Sequence, residues 1–133
     1  MLIRDYFQEI ESQIAACPGI VESQVGKDVR SLHIGIIEGV VTFSDGSVLH
    51  FIEFVDVKEP VEVYRYSYHY QDQDGIMVFR YDMAPHHKKL ETFPHHKHLA
   101  SGRAINSSAP TLSSIFDEIE NEQSATPRRG PFG

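Results

Sequence analysis

The stretch SLHIGIIEGVVTFSDGSVLHFIEFVDV, residues 31–57, places two β-branched, apolar runs on either side of Ser44-Asp45-Gly46-Ser47. Runs of this kind around an Asp-Gly pair are the signature of a β-hairpin. The pattern predicts strands over about 31–43 and 48–57, closed by Asp45-Gly46 as a two-residue turn. That register sets Phe43 against Val48 and Val41 against His50 on one side. On the other it pairs Thr42 with Leu49, Val40 with Phe51, and Glu38 with Glu53. Two carboxylates directly opposite each other repel, so this pairing calls for a cation, a protonated acid or an arginine.

After Pro60 the chain resumes with a third strand, Val61 to Tyr70, and turns through Asp72-Gln73-Asp74-Gly75 into a fourth, Ile76 to Asp82. Strand side chains alternate between faces. Tyr64, Tyr66, Tyr68 and Tyr70 therefore share one face, and Arg65, Ser67 and His69 the other. A four-residue loop at 72–75 puts Tyr66, Tyr68 and Tyr70 across from Tyr81, Phe79 and Met77. It also puts Arg65 across from Asp82, Ser67 across from Arg80, and His69 beside Val78. The tyrosines form an aromatic bed for helices. Joining the hairpins most economically gathers Glu38, Glu53, Arg65, His69 and Arg80 on the opposite, polar face. His33 and His50 read as structural.

Two helices complete the chain. Leu2, Ile3, Tyr6, Phe7, Ile10 and Ile14 recur at helical spacing over residues 2–16, and Pro18-Gly19 ends that helix after Cys17. Residues 20–30 read as a mixed connector. Thr111 is the N-cap of a second helix with Leu112, Ile115, Phe116 and Ile119 on one side. The predicted fold class is α+β: an N-terminal helix, a four-stranded antiparallel meander, a long His-rich loop and a C-terminal helix, with both helices on one sheet face.

At 133 residues the chain can bury one core, so a single domain over 1–122 is expected, followed by a disordered tail at 123–133. No apolar run reaches the roughly 20 residues of a membrane helix, and acids within the first ten residues argue against a signal peptide. One cysteine forbids an internal disulfide and fits a reducing cytoplasm. The net charge of −7 argues against general nucleic-acid binding. It is unevenly spread, however. Residues 1–57 carry three bases and nine acids; residues 58–103 carry seven bases, six acids and six of the eight histidines. An anionic ligand would meet the middle segment.

Five histidines crowd into APHHKKLETFPHHKHLA, residues 84–100, where Pro85-His86-His87-Lys88 returns as Pro94-His95-His96-Lys97. Three readings stand side by side. One is a solvated polar loop. The second is an open metal site for a divalent ion such as zinc, built from His86, His95, His98 and Asp82, although the spacing matches neither HExxH nor paired CxxC. The third is acid–base work on a phosphate. Imidazoles at 86, 87, 95, 96 or 98, or His69, would move protons. Arg65 and Arg80 would neutralise growing charge, and Lys88, Lys89, Lys97 and Tyr81 would hold substrate.

Residues 66–99, YSYHYQDQDGIMVFRYDMAPHHKKLETFPHHKHL, resemble the TumE family of prokaryotic toxins. The resemblance rests on Tyr68-His69-Tyr70, the Asp74-Gly75 turn, Phe79 through His87, and Pro94 through His98. The leading helix and the first hairpin are also similar to that family, but Met83 stands where it often has Asn. The resemblance implies a cytoplasmic toxin neutralised by an antitoxin encoded next to it. It leads to an expected metal-independent endoribonuclease, with His69 or a loop histidine transferring protons, Glu53 as partner base, and Arg80 and Arg65 stabilising charge. A metal-dependent hydrolase and a non-enzymatic binding module are the alternatives, with RNA as the expected substrate and homodimerisation left open.

Overall fold

In a computed structural model that describes residues 1–83 and 95–125, the elements run α1 (Ile3–Ala16), β1 (Ile20–Val29), β2 (Ile34–Phe43), β3 (Val48–Asp56), β4 (Glu62–Gln71), β5 (Met77–Met83), β6 (His95–Leu99), β7 (Ala104–Asn106) and α2 (Leu112–Ala125). The seven strands pair antiparallel in strict chain order. The sheet is thus three strands wider than the meander expected from sequence. β1 replaces the supposed connector. It pairs along β2 from Ile20 to Val29, yet its side chains are almost all exposed, so it carries no alternation to read. β6 forms inside the segment read as a loop, held by pairing with β5 and β7.

Both helices lie on one sheet face, as their apolar stripes require. Ile3, Phe7, Ile10 and Ile14 of α1 and Leu112, Ile115, Phe116 and Ile119 of α2 are buried with Ile37, Val41, Leu49, Phe51, Tyr66, Tyr68, Tyr70 and Phe79. The α1 backbone stops at Cys17, whose N–H donates to Ile14 O, ahead of Gly19 at φ +87°. Thr111 caps α2: its Oγ1 accepts from Ser114 N–H at 3.1 Å, while Ser114 Oγ accepts from Thr111 N–H at 3.0 Å. The helix continues to Ala125, past the start assigned to the tail, and 126–133 lie outside the described residues.

The turns set the register differently from the sequence reading. In the first hairpin Phe43 pairs with Ser47, not Val48, and Gly46 N–H donates to Phe43 O. The loop therefore has three residues, Ser44 to Gly46, with Gly46 at φ +86° where a side chain would strain. One residue of slip moves β3 to the other parity. Val40 now faces His50, and Glu38 faces Ile52. The expected opposition of Glu38 and Glu53 does not occur. Glu38 is exposed on the outer face, whereas Glu53 turns towards the helices and is buried.

Glu53 is partnered there. Its two carboxylate oxygens accept hydrogen bonds from Tyr6 of α1 and Tyr68 of β4. Burial and the Glu53 charge push both phenols well above the usual tyrosine range, which keeps them protonated as donors. A buried carboxylate is costly unless its lone pairs are met, and here they are.

In the second hairpin the shift is two residues, so the faces survive. Tyr68 pairs with Tyr81, Tyr70 with Phe79, His69 with Arg80 and Ser67 with Asp82. Arg65 is not across from Asp82. It pairs with Phe54 of β3 and is exposed.

Two outcomes follow for stability. Glu53→Ala leaves two buried hydroxyls unpartnered and should lower the urea-unfolding free energy by about 3 kcal/mol, whereas Tyr68→Phe should cost less. Gly39→Ala should cost about 1–3 kcal/mol by the same measurement, because its Cβ would stand 2.5 Å from the Phe51 ring.

Candidate functional site

The outer sheet face, turned away from the helices, collects the chain's ionisable chemistry through strand pairing alone. One row across the sheet reads Val40, His50, His69, Arg80, His98, Ala104, each the paired neighbour of the next on β2 through β7. The adjacent row reads Glu38, Ile52, Ser67, Asp82, His96, Asn106. Four histidines, an arginine and a serine thus surround one aspartate or stand in line with it. They come from four strands, β3 to β6, and span His50 to His98 in the sequence.

Within this face two groups differ in setting. Over β1–β5 runs an open groove whose walls include Gln24, Glu38, His50, Ser67, His69 and Arg80. His50 and His69 meet edge to face with ring centroids 6.3 Å apart. His69 Nδ1 is buried and has no hydrogen-bond partner among the described residues. Burial, then the Arg80 guanidinium, then His50, hold the His69 imidazole below its ordinary range. His69 is therefore neutral at neutral pH, with a ring that can accept a proton.

The second group is more enclosed. Asp82 is 7% exposed and His96 1%. Arg80 Nε donates to Asp82 Oδ2 at 2.9 Å. The other oxygen, Oδ1, lies against His96 Nε2 and 3.5 Å from His98 Nε2. The two imidazoles meet edge to face at 4.8 Å between centroids.

The remaining candidates fall elsewhere. Lys97, His95 and Tyr81 alternate onto the helix face. Tyr81 donates to Glu118 of α2, and Lys97 Nζ sits 2.8 Å from the same carboxylate, over the Phe79 and Tyr81 rings. His95 stacks on Tyr66 and lies 3.0 Å from its hydroxyl, which burial raises to about 12. Glu53 is in the core. Arg65 is on the outer face but beyond both rows. His86, His87, Lys88 and Lys89 lie outside the described residues. The metal set expected from sequence is thus divided: Asp82 and His98 come together, His95 is on the other face, and His96 takes its place.

Sequence reasoning missed one member and one grouping. His50 was assigned to the apolar face because the first turn was read one residue short. His96 and His98 were not recognised as a facing pair, because a loop assignment gives no parity. The H-x-H spacing is the signal: on a strand it puts both rings on one face.

Among the described residues no helix is long and apolar enough to cross a membrane. No curated protein and no solved structure matches the chain. A family model described as toxin TumE matches residues 10–123, from within α1 through all seven strands into α2, so that the whole outer-face arrangement falls inside the match. The chain belongs to the toxin TumE family.

Proposed function

We propose that this chain is a toxin that cleaves RNA, using the groove lined by His50, His69 and Arg80. The observation that carries the reading is the pairing of two imidazoles beside a guanidinium on an open polar face. In the reaction, His69 takes the proton from a ribose 2′-hydroxyl, whose oxygen attacks the adjacent phosphorus. The bond from phosphorus to the 5′-oxygen breaks, and protonated His50 supplies that oxygen with its proton. The products are a 2′,3′-cyclic phosphate and a free 5′-hydroxyl. Arg80 neutralises charge on the phosphoryl oxygens and is itself oriented by Asp82.

The neighbouring imidazoles suit this division of labour. His69, kept neutral, is the base; His50, exposed at the groove wall, stands beside it as the acid. The acidic net charge is met at the groove by the Arg80 guanidinium. A toxin family also implies an antitoxin partner, which we place as the product of an adjacent gene.

Bacterial growth under tightly induced expression tests the reading. Wild type should arrest growth, and RNA from the arrested cells should carry new cyclic-phosphate ends. His69→Asn and Arg80→Gln should each slow cleavage by about 10²–10⁴-fold while remaining folded by circular dichroism. A folded His69→Asn protein that still arrests growth and cuts RNA would overturn the assignment.

The pH dependence has a definite sign. Because the folded His69 binds its proton more weakly than the unfolded chain, NMR titration of its ring should give a midpoint below about 6.5. As pH falls, the unfolded state takes up this proton first, so the folded state loses stability from about pH 6.5 downward. His69→Gln should lessen that acid-side loss in urea titrations.

A further inference from the structure

We infer that Asp82, His96 and His98 form a binding site for a divalent metal ion of the zinc class. The site is separate from the His50–His69 pair and independent of the RNA-cleavage reading.

Three observations converge on it. The first is backbone geometry. His96 and His98 are two residues apart on β6, so both rings leave the same face, and Asp82 is the paired neighbour of His96 on β5. Three ligands from two adjacent strands are therefore delivered by the sheet itself, with little conformational entropy left to lose. The second is distance. One ligand atom from each residue lies within 4.8 Å of the other two. Donors about 2.0–2.2 Å from a tetrahedral ion stand about 3.4 Å apart, so small side-chain rotations bring the set to that spacing. The third is burial and bonding. Asp82 Oδ1 is buried and accepts no hydrogen bond among the described residues, although His96 Nε2 and His98 Nε2 both point at it. The two ring nitrogens and Oδ1 lie together, as ligands around a shared centre do.

The donor set also selects the ion. Two neutral imidazoles and one carboxylate suit zinc and its neighbours, and are poor for magnesium or calcium, which want oxygen throughout. The outer shell is present as well: Arg80 binds Asp82 Oδ2 and so orients the carboxylate with Oδ1 facing the histidines. Three protein ligands leave a position open for water or another donor. An ion here would bridge β5 to β6, a strand whose HHKHL sequence has little propensity of its own, and would steady Arg80 at the edge of the groove.

The full-length protein, stripped with chelator and dialysed, is titrated with Zn²⁺ alone by calorimetry, and with Co²⁺ while the visible d–d bands are recorded. One ion should bind per chain, with cobalt bands of tetrahedral or five-coordinate intensity and a rise in Tm as zinc is added. His98→Gln, on a partly exposed ring that should spare the fold, should weaken zinc binding by more than the about 10–100-fold that loss of a mere outer-shell partner brings. Asp82→Asn should do the same, whereas His95→Gln, on the opposite face, should leave affinity unchanged. Absence of stoichiometric binding by the folded wild type would overturn the site. So would zinc binding that survives intact in His98→Gln and Asp82→Asn, because other histidines would then hold the ion. Cleavage of RNA by the stripped protein bears on neither result, so the two readings fail separately.

Discussion

Side chains on a strand alternate, so the number of residues in a turn decides which chemistry shares a face. In this sheet that constraint acts at Ser44–Gly46. A third loop residue, tolerated because Gly46 can adopt positive φ, moves His50 to the outer face and Glu53 to the inner one. β4 is laid against β3 and each later strand against the one before it, so this turn decides that His50 shares the row of His69, Arg80 and His98.

The two faces then divide the polar residues between structure and chemistry. On the helix side, polar groups are locked into specific partners: Glu53 with Tyr6 and Tyr68, Tyr70 with Ser47 at 2.8 Å, and Glu118 with Tyr81 and Lys97. Each joins a helix to the sheet or one strand to the next, and the buried Glu53 ties α1 to β3 and β4 at once. Such networks fix a unique packing only when fully satisfied. On the outer side no helix among the described residues lies over the strands. There the ionisable groups meet one another and an open groove, which is the setting in which proton transfer and ligand binding become available.

The clustering also accounts for how an acidic protein could handle a polyanion. The excess negative charge lies largely before residue 58, on the α1–β3 portion, whereas Arg80 and the imidazoles stand at the centre of the sheet. Proximity of a few correctly placed donors outweighs net charge at contact range, while net charge governs long-range attraction.

Much of this was legible in the residues. The apolar stripes of both helices, the two hairpins with their Asp-Gly turns, the tyrosine face of β4 from Tyr66 to Tyr70 and the family resemblance of residues 66–99 all follow from local pattern and turn chemistry, which are properties of short stretches. Tyr64 departs from that face, exposed against Phe54 and Asp56 beyond an irregularity in the β3–β4 ladder. What lay beyond reach depends on partners distant in sequence. β1 and β6 are strands because β2 and β5 offer them hydrogen bonds; neither IVESQVGKDV nor HHKHL shows the buried alternation that would announce it. The site suffered in the same way. Arg80, Asp82 and His69 were identifiable as polar-face residues, but their grouping with His50, His96 and His98 required the true register. The sequence by itself determined which residues alternate, which turns can form and which stripes must be buried. Only the tertiary structure decided which strands pair and how many residues each turn absorbs, because those choices are settled by the summed energy of ladder hydrogen bonds and core packing across the whole sheet, not by any one segment.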